Sequence, residues 1–158
     1  MRLVLPPDRI LLLLFLALLG AAAFSDARRF RIPNLIPLAI ALLYPAHLWA
    51  SRLGLDWSGA LVAAALVFAC SLVLFARGAL GGGDVKLLGA AALWAGPPLL
   101  PALLVVMGLS GGVLAALAWT EGRVRRWLPP GVSETPRVPY GVAIAAGASY
   151  AGYRLLLA

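Results

Sequence analysis

Apolar runs of membrane-spanning length, cut by short basic loops, constrain this chain more than any other feature. A helix needs about 20 predominantly apolar residues to cross a hydrocarbon core of roughly 30 Å. Six candidate segments can be marked: Ile10 to Phe24, Leu35 to Ala50, Ser58 to Ala76, a short one from Val85 to Ala95, Leu99 to Trp119, and Tyr140 to Leu157. Of the 158 residues 63% are hydrophobic and only 12% charged, and the mean hydropathy is +0.96. A soluble domain carries about a quarter charged residues, so this chain has too few polar groups to cover a water-facing surface. The expectation is an all-α, polytopic bundle of about six transmembrane helices, a single integral-membrane domain over residues 1–158 with no separate soluble domain.

The loops sort by charge. The first carries Arg28, Arg29 and Arg31, and the second, Ser51 to Asp56, is neutral. The third carries Arg77 and leads to Lys86. The fourth, Gly96-Pro97-Pro98, has no charge. The fifth carries Arg123, Arg125, Arg126 and Arg137 against Glu121 and Glu134. Basic loops stay in the cytoplasm, which puts the odd loops inside and both termini outside. Arg2, the first apolar run and Ala21-Ala22-Ala23 also resemble a secretory signal with a small-residue cleavage site. The arginine cluster directly after it, and the parity of the remaining loops, favour a retained helix. The net charge of +7 falls in these loops, where it sets topology and meets anionic lipid. It does not point to nucleic acid. The single cysteine, Cys70, excludes an intrachain disulfide and a cysteine-built zinc site and reads as a small packed or lipid-facing residue.

Within this frame one stretch stands apart: Gly81-Gly82-Gly83-Asp84-Val85-Lys86. Three glycines permit φ angles closed to other residues and close approach of another chain. A carboxylate at the mouth of a membrane helix is expensive and calls for a function. Loop parity places a second aspartate, Asp26, at the same face, with Asp8 and Asp56 on the other. The segment from Val85 to Ala95 would be only about 16 Å long, so the glycines are expected to enter the membrane or a depression in it. Non-helical backbone survives there only when buried by protein or lined by water. Two carboxyl groups sharing a site cannot both ionise cheaply. One then takes a proton from attacking water while the other donates to a carbonyl oxygen, with no metal or cofactor needed. The glycine backbone of Gly81, Gly82 and Gly83 would pair with an extended substrate. Taken singly, Asp84 reads equally as a helix N-cap, and Asp26 as an interfacial partner of Arg28 or Arg29.

These motifs resemble those of the type IV prepilin peptidases, intramembrane aspartic proteases marked by Gly-x-Gly-Asp. The match at Gly81 to Leu88 runs past the aspartate to the lysine. Asp26-Ala27-Arg28-Arg29-Phe30-Arg31-Ile32-Pro33-Asn34 resembles the family's first aspartate segment, and Val138-Pro139-Tyr140-Gly141 the start of its last helix. The resemblance implies that Asp26 and Asp84 are the catalytic pair. It implies a prepilin-like precursor as substrate, cut at the cytoplasmic face of a bacterial inner membrane between a short basic leader and an apolar helix. Larger members also methylate the new N-terminus and carry a cytoplasmic loop with paired cysteines. This chain has no such loop, so it resembles the short, peptidase-only branch serving Flp/Tad-type pili.

The remaining polar residues read more plainly. Lys86 lies about 200° around a helix from Asp84 and is expected to meet lipid phosphate or a loop carboxylate. Glu121 and Glu134 read as solvated loop charges that a basic leader could approach. Pro33 and Asn34 read as a helix start, and His47 as an interfacial residue on the far side. Two other functions fit some features. A non-catalytic assembly factor could hold a pilin-like helix against the glycines. A lipid-modifying enzyme could cradle phosphate there, but Asp84 would repel it without a divalent metal.

Overall fold

A computed structural model of the protein describes residues 6–51, 54, 56–125 and 138–157. These residues form helices and no strand: α1 Pro7–Arg29, α2 Leu35–Ala50, α3 Trp57–Ala76, α4 Gly82–Arg125 and α5 Tyr140–Leu157. Of these, α1, α3 and the part of α4 from Gly82 to Thr120 are long and apolar enough to cross a membrane; α2, with 16 residues, is shorter. The described residues are thus those of a helical membrane protein.

The fourth helix is where the expected segments and the observed elements differ. It runs for 44 residues with one non-helical position, Gly96, at φ 56° and ψ −178°. Left straight it would be about 66 Å long, twice the thickness of a hydrocarbon core. It does not stay straight. Residue 83 lies beside Ile32, which also lies beside Gly141, whereas Trp94 stacks on Phe15, which contacts the position of Gly152. The first limb, 82–95, therefore runs parallel to α5. Beyond the break Leu103 and Met107 meet Gly147, and Gly111 meets Ala143. The second limb, 97–125, runs antiparallel to α5, so the chain reverses at Gly96. Glycine is needed there because an L side chain rarely adopts that φ. Pro97, Pro98 and Pro101 follow, and their missing N–H groups prevent the helical ladder from re-forming across the turn. The expected fourth loop is thus compressed into one residue.

The core is built by aromatic stacking on one side and by small residues on the other. Trp94 lies between Phe15, 4.3 Å away and nearly parallel, and His47 at 4.9 Å; its indole N–H donates to the Ile40 carbonyl at 2.9 Å. His47 is therefore buried, at 3% exposure, and not the interfacial residue expected from the sequence. Its ring is held by Trp94, ten residues or about 15 Å along the limb from Asp84. On α5, Gly141 and Gly152 are three turns apart and face α1, whereas Ala143 and Gly147 face α4. Such spacing lets helix backbones approach closely where lipid supplies no hydrophobic drive for association. By contrast α3 packs chiefly on α4, with a mostly exposed apolar surface that includes Cys70.

Candidate active site

Asp26 is set by the way α1 ends. The helix continues beyond Phe24, the last residue expected in it, to Arg29. Asp26 thus sits in the final turn and is 5% exposed. Phe30 then adopts the left-handed conformation at φ 50°, which costs an L residue about 1–2 kcal/mol. Two hydrogen bonds offset it: the Phe30 N–H donates to the Asp26 carbonyl at 2.8 Å, and the Ser25 hydroxyl to the Arg31 carbonyl at 2.7 Å. The reversal drives Ile32 back into the bundle, where it is buried. Asn34 follows as the residue before α2, without capping it through its side chain. Pro33 therefore precedes the cap, two positions before the first helical residue, Leu35.

Asp84 is set by the start of α4. That helix begins at Gly82, three residues before the expected Val85, and the Gly81 carbonyl accepts the first helical bond, from Val85 at 3.1 Å. Gly81 is the N-cap and Asp84 the third helical residue. Its Oδ2 accepts the Gly81 N–H at 3.2 Å, which is half of a capping box. The ordinary capping role accounts for that oxygen only. Oδ1 is buried and has no hydrogen-bond partner, a costly arrangement unless something else is to meet it.

The glycine triplet uses closeness and not unusual dihedrals. Its members have no positive φ, whereas Gly78, in the turn that closes α3, does. Gly82 and Gly83 are helical, so the expected non-helical backbone is the first turn of a helix. What glycine permits here is contact. A Cβ on residue 83 would lie 3.1 Å from the Ile32 Cβ and 3.3 Å from its carbonyl oxygen, and one on residue 82 would lie 3.5 Å from the Phe75 ring.

Ile32 joins the two halves of the site. One side of it touches residue 83, next to Asp84; its tip touches residue 141, beside Asp26. The two carboxyl groups are thereby brought to one end of the bundle, on either side of Ile32. Among the described residues neither is paired with an arginine. Arg28 lies over the Phe24 ring at 4.5 Å, and Asp26 Oδ2 instead accepts the backbone N–H of Gly141, at the start of α5, at 2.7 Å. The plainer reading of Asp26 taken singly, as an interfacial partner of Arg28 or Arg29, is not what these contacts show. Gly141 is the functional group that sequence reasoning missed, because a backbone N–H carries no signature beyond the Pro139-Tyr140-Gly141 that begins the helix.

Lys86 faces away from the aspartates, as its spacing requires, and its ammonium donates to Asn34 Oδ1 at 2.9 Å. This ties the first limb of α4 to the turn that carries Ile32. Lys86 and Asn34 also line a largely apolar groove of about 610 Å³ between α2, α3 and α4, on the face of the limb opposite Asp84. Glu134 lies outside the described residues and Glu121 near the end of α4.

No curated protein and no solved structure matches the chain. A family model does: that of the type IV leader peptidase family matches residues 13–116, a stretch that includes Asp26, the glycine triplet and Asp84. With two thirds of its length so matched, the chain belongs to the type IV leader peptidase family, a family of proteases.

Proposed function

We propose that the protein is an aspartic endopeptidase of the bacterial inner membrane. In this reading it removes the short basic leader from prepilin-like precursors at the cytoplasmic face, with six spans and both termini outside. The observation that carries the proposal is the convergence of Asp26 and Asp84 through Ile32, with one buried carboxylate oxygen of Asp84 left without a partner. A carboxylate beside a carboxylic acid has what peptide hydrolysis needs, a base for water and a donor for the carbonyl oxygen. Gly81, exposed at the start of α4, and the half-buried Gly82 beside it would take an extended peptide, whereas the side of Gly83 that lacks a Cβ is already filled by Ile32. Membrane lipid surrounds the bundle, no cofactor takes part, and the new N-terminus is not methylated.

The test is cleavage of a pilin-like precursor from the same organism by the detergent-purified protein, read by mass spectrometry. Wild type is expected to cut one bond between leader and apolar segment, with or without chelator. Asp26→Asn and Asp84→Asn are each expected to lose at least about 10²-fold in rate, the usual contribution of a general acid or base, while keeping wild-type elution and helicity. Activity surviving either change would remove the dyad. A non-catalytic assembly factor would instead retain the intact precursor in a pull-down and never cut it.

A further inference from the structure

A pair of carboxyl groups works as acid and base only if something decides which of them holds the proton. Here the surroundings of the two differ. Asp26 Oδ2 receives the Gly141 N–H at 2.7 Å in a buried setting, at the short end of the range for bonds to a charged acceptor. Gly141 is the second residue of α5, so this N–H is one of those at a helix start that lack an intrahelical partner. The positive end of the α5 dipole is thereby presented to Asp26. Asp84 also stands in a helical first turn, but receives only the longer Gly81 bond of 3.2 Å, and its Oδ1 is buried and bare. A bare buried oxygen is costly on an anion. On a carboxylic acid it can carry a proton ready for an acceptor that arrives with the substrate.

We propose that Asp26 is the general base and Asp84 the general acid, and that Gly141 is the positioning residue that holds Asp26 in its role through its backbone N–H. The assignment rests on the peptidase reading above. The Asp26 carboxylate takes a proton from water as the water oxygen bonds to the scissile carbonyl carbon. Asp84 gives its proton to the carbonyl oxygen, which leaves a neutral gem-diol. Asp26, now protonated, gives its proton to the amide nitrogen. Asp84 takes one back from a gem-diol hydroxyl, the C–N bond breaks, and acid and amine leave with both residues restored.

The identity of residue 141 follows from the same geometry. A Cβ there would lie 2.8 Å from Asp26 Oδ2, 3.0 Å from its Cβ and 2.6 Å from the Ile32 tip. The tip can turn away; the carboxylate cannot stay on the N–H. Other titratable groups described at this end are Arg28 and Arg29 on α1, Arg31 in the turn, Arg77 after α3, Lys86 on α4 and Tyr140 on α5. All are exposed, and Asp84 is the buried one.

The test is Gly141→Ala, read in two ways. In an infrared titration of the carboxyl groups of the purified protein without substrate, the first ionisation of the pair moves up by roughly one pH unit as the anion loses its donor. In precursor cleavage kcat falls by about 10²-fold, the scale of a misplaced catalytic group, with KM little changed and the acid limb of the pH profile displaced in the same direction. Movement of the alkaline limb instead would exchange the two roles. No movement of either limb, or of the titration, would remove Gly141 as a positioning group. Ile32→Val added to Gly141→Ala deletes the Ile32 tip and isolates the effect on Asp26. Measured against Ile32→Val alone, a rate that stays low supports the proposal, and a rate restored to that of Ile32→Val overturns it. The titration needs no substrate, so it reports on Gly141 and Asp26 even if wild type cleaves nothing.

Discussion

Asp84 shows how much a single residue can be asked to do at a helix start. One of its oxygens closes a capping interaction and the other is buried with no hydrogen-bond partner, so its position is fixed without its chemistry being used up. Two residues on, Lys86 does a mechanical job: its bond to Asn34 at 2.9 Å pins the turn that carries Ile32, and Ile32 is what sets the spacing of the aspartates. The bond is exposed, so its coupling is expected to be modest, about 0.5–1 kcal/mol. Lys86→Met and Asn34→Ala should each lower stability by that amount and the double variant by little more than either alone, as unfolding in detergent would show. Fully additive losses would mean that the pair is not coupled. At this scale the sequence was legible wherever side chains carry the chemistry. Asp26 and Asp84 could be placed together from loop charge alone. Gly141 and the Lys86–Asn34 bond could not, because one acts through its backbone and the other spans 52 residues with no pattern to announce it.

Among the elements, α5 and the second limb of α4 have the tightest interface. A Cβ on residue 147 would run into the Leu103 backbone carbonyl and lie 3.2 Å from the Met107 Cβ. Because backbone cannot turn aside as a side-chain tip does, Gly147→Ala forces the helices apart. It should cost about 1–3 kcal/mol of stability, measured by unfolding in detergent. Gly111→Ala, where the new Cβ would lie 3.5 Å from that of Ala143, is expected to be nearly neutral and serves as the control. Equal effects at the two positions would argue against this packing. Element limits were legible to within a few residues because Pro, Gly and charge mark them. The start of α4 was missed because a glycine triplet reads as loop, whereas Asp84 at its third helical position supplies a donorless side chain that accepts the N-cap N–H and favours the helix. The Gly96 turn was read from its prolines, but its brevity depends on the one dihedral pair at Gly96 and on the contacts that close the two limbs onto α5.

The whole molecule has a charged end and a quiet end, and that asymmetry carries the last prediction. Residue 82 lies against Phe75, which places Arg77 at the end of the bundle that also holds Lys86, Arg28, Arg29 and Arg31. At the opposite end, beyond Trp94 and His47, stand Asp8, Arg9, Asp56 and Arg154. Five cations with described side chains against two predict, by the positive-inside rule and in keeping with the proposal above, that the aspartates face the cytoplasm. The buried acids contribute little to that choice, since orientation follows Lys and Arg and not net charge. In a Cys70→Ser background, Ala79→Cys, in the exposed turn after α3, should react with a membrane-impermeant maleimide only after cells are permeabilised. Ser58→Cys, exposed at the start of α3 on the other side, should react in intact cells. The reverse pattern would put Asp26 and Asp84 outside and remove cytoplasmic leader cleavage whatever the chemistry of the pair. Labelling of both sites in intact cells would mean that the charge difference does not fix one orientation. Because α3 runs from one site to the other as a 20-residue apolar helix, the two cysteines also test whether that helix spans: labelling of both only after permeabilisation would place both its ends inside.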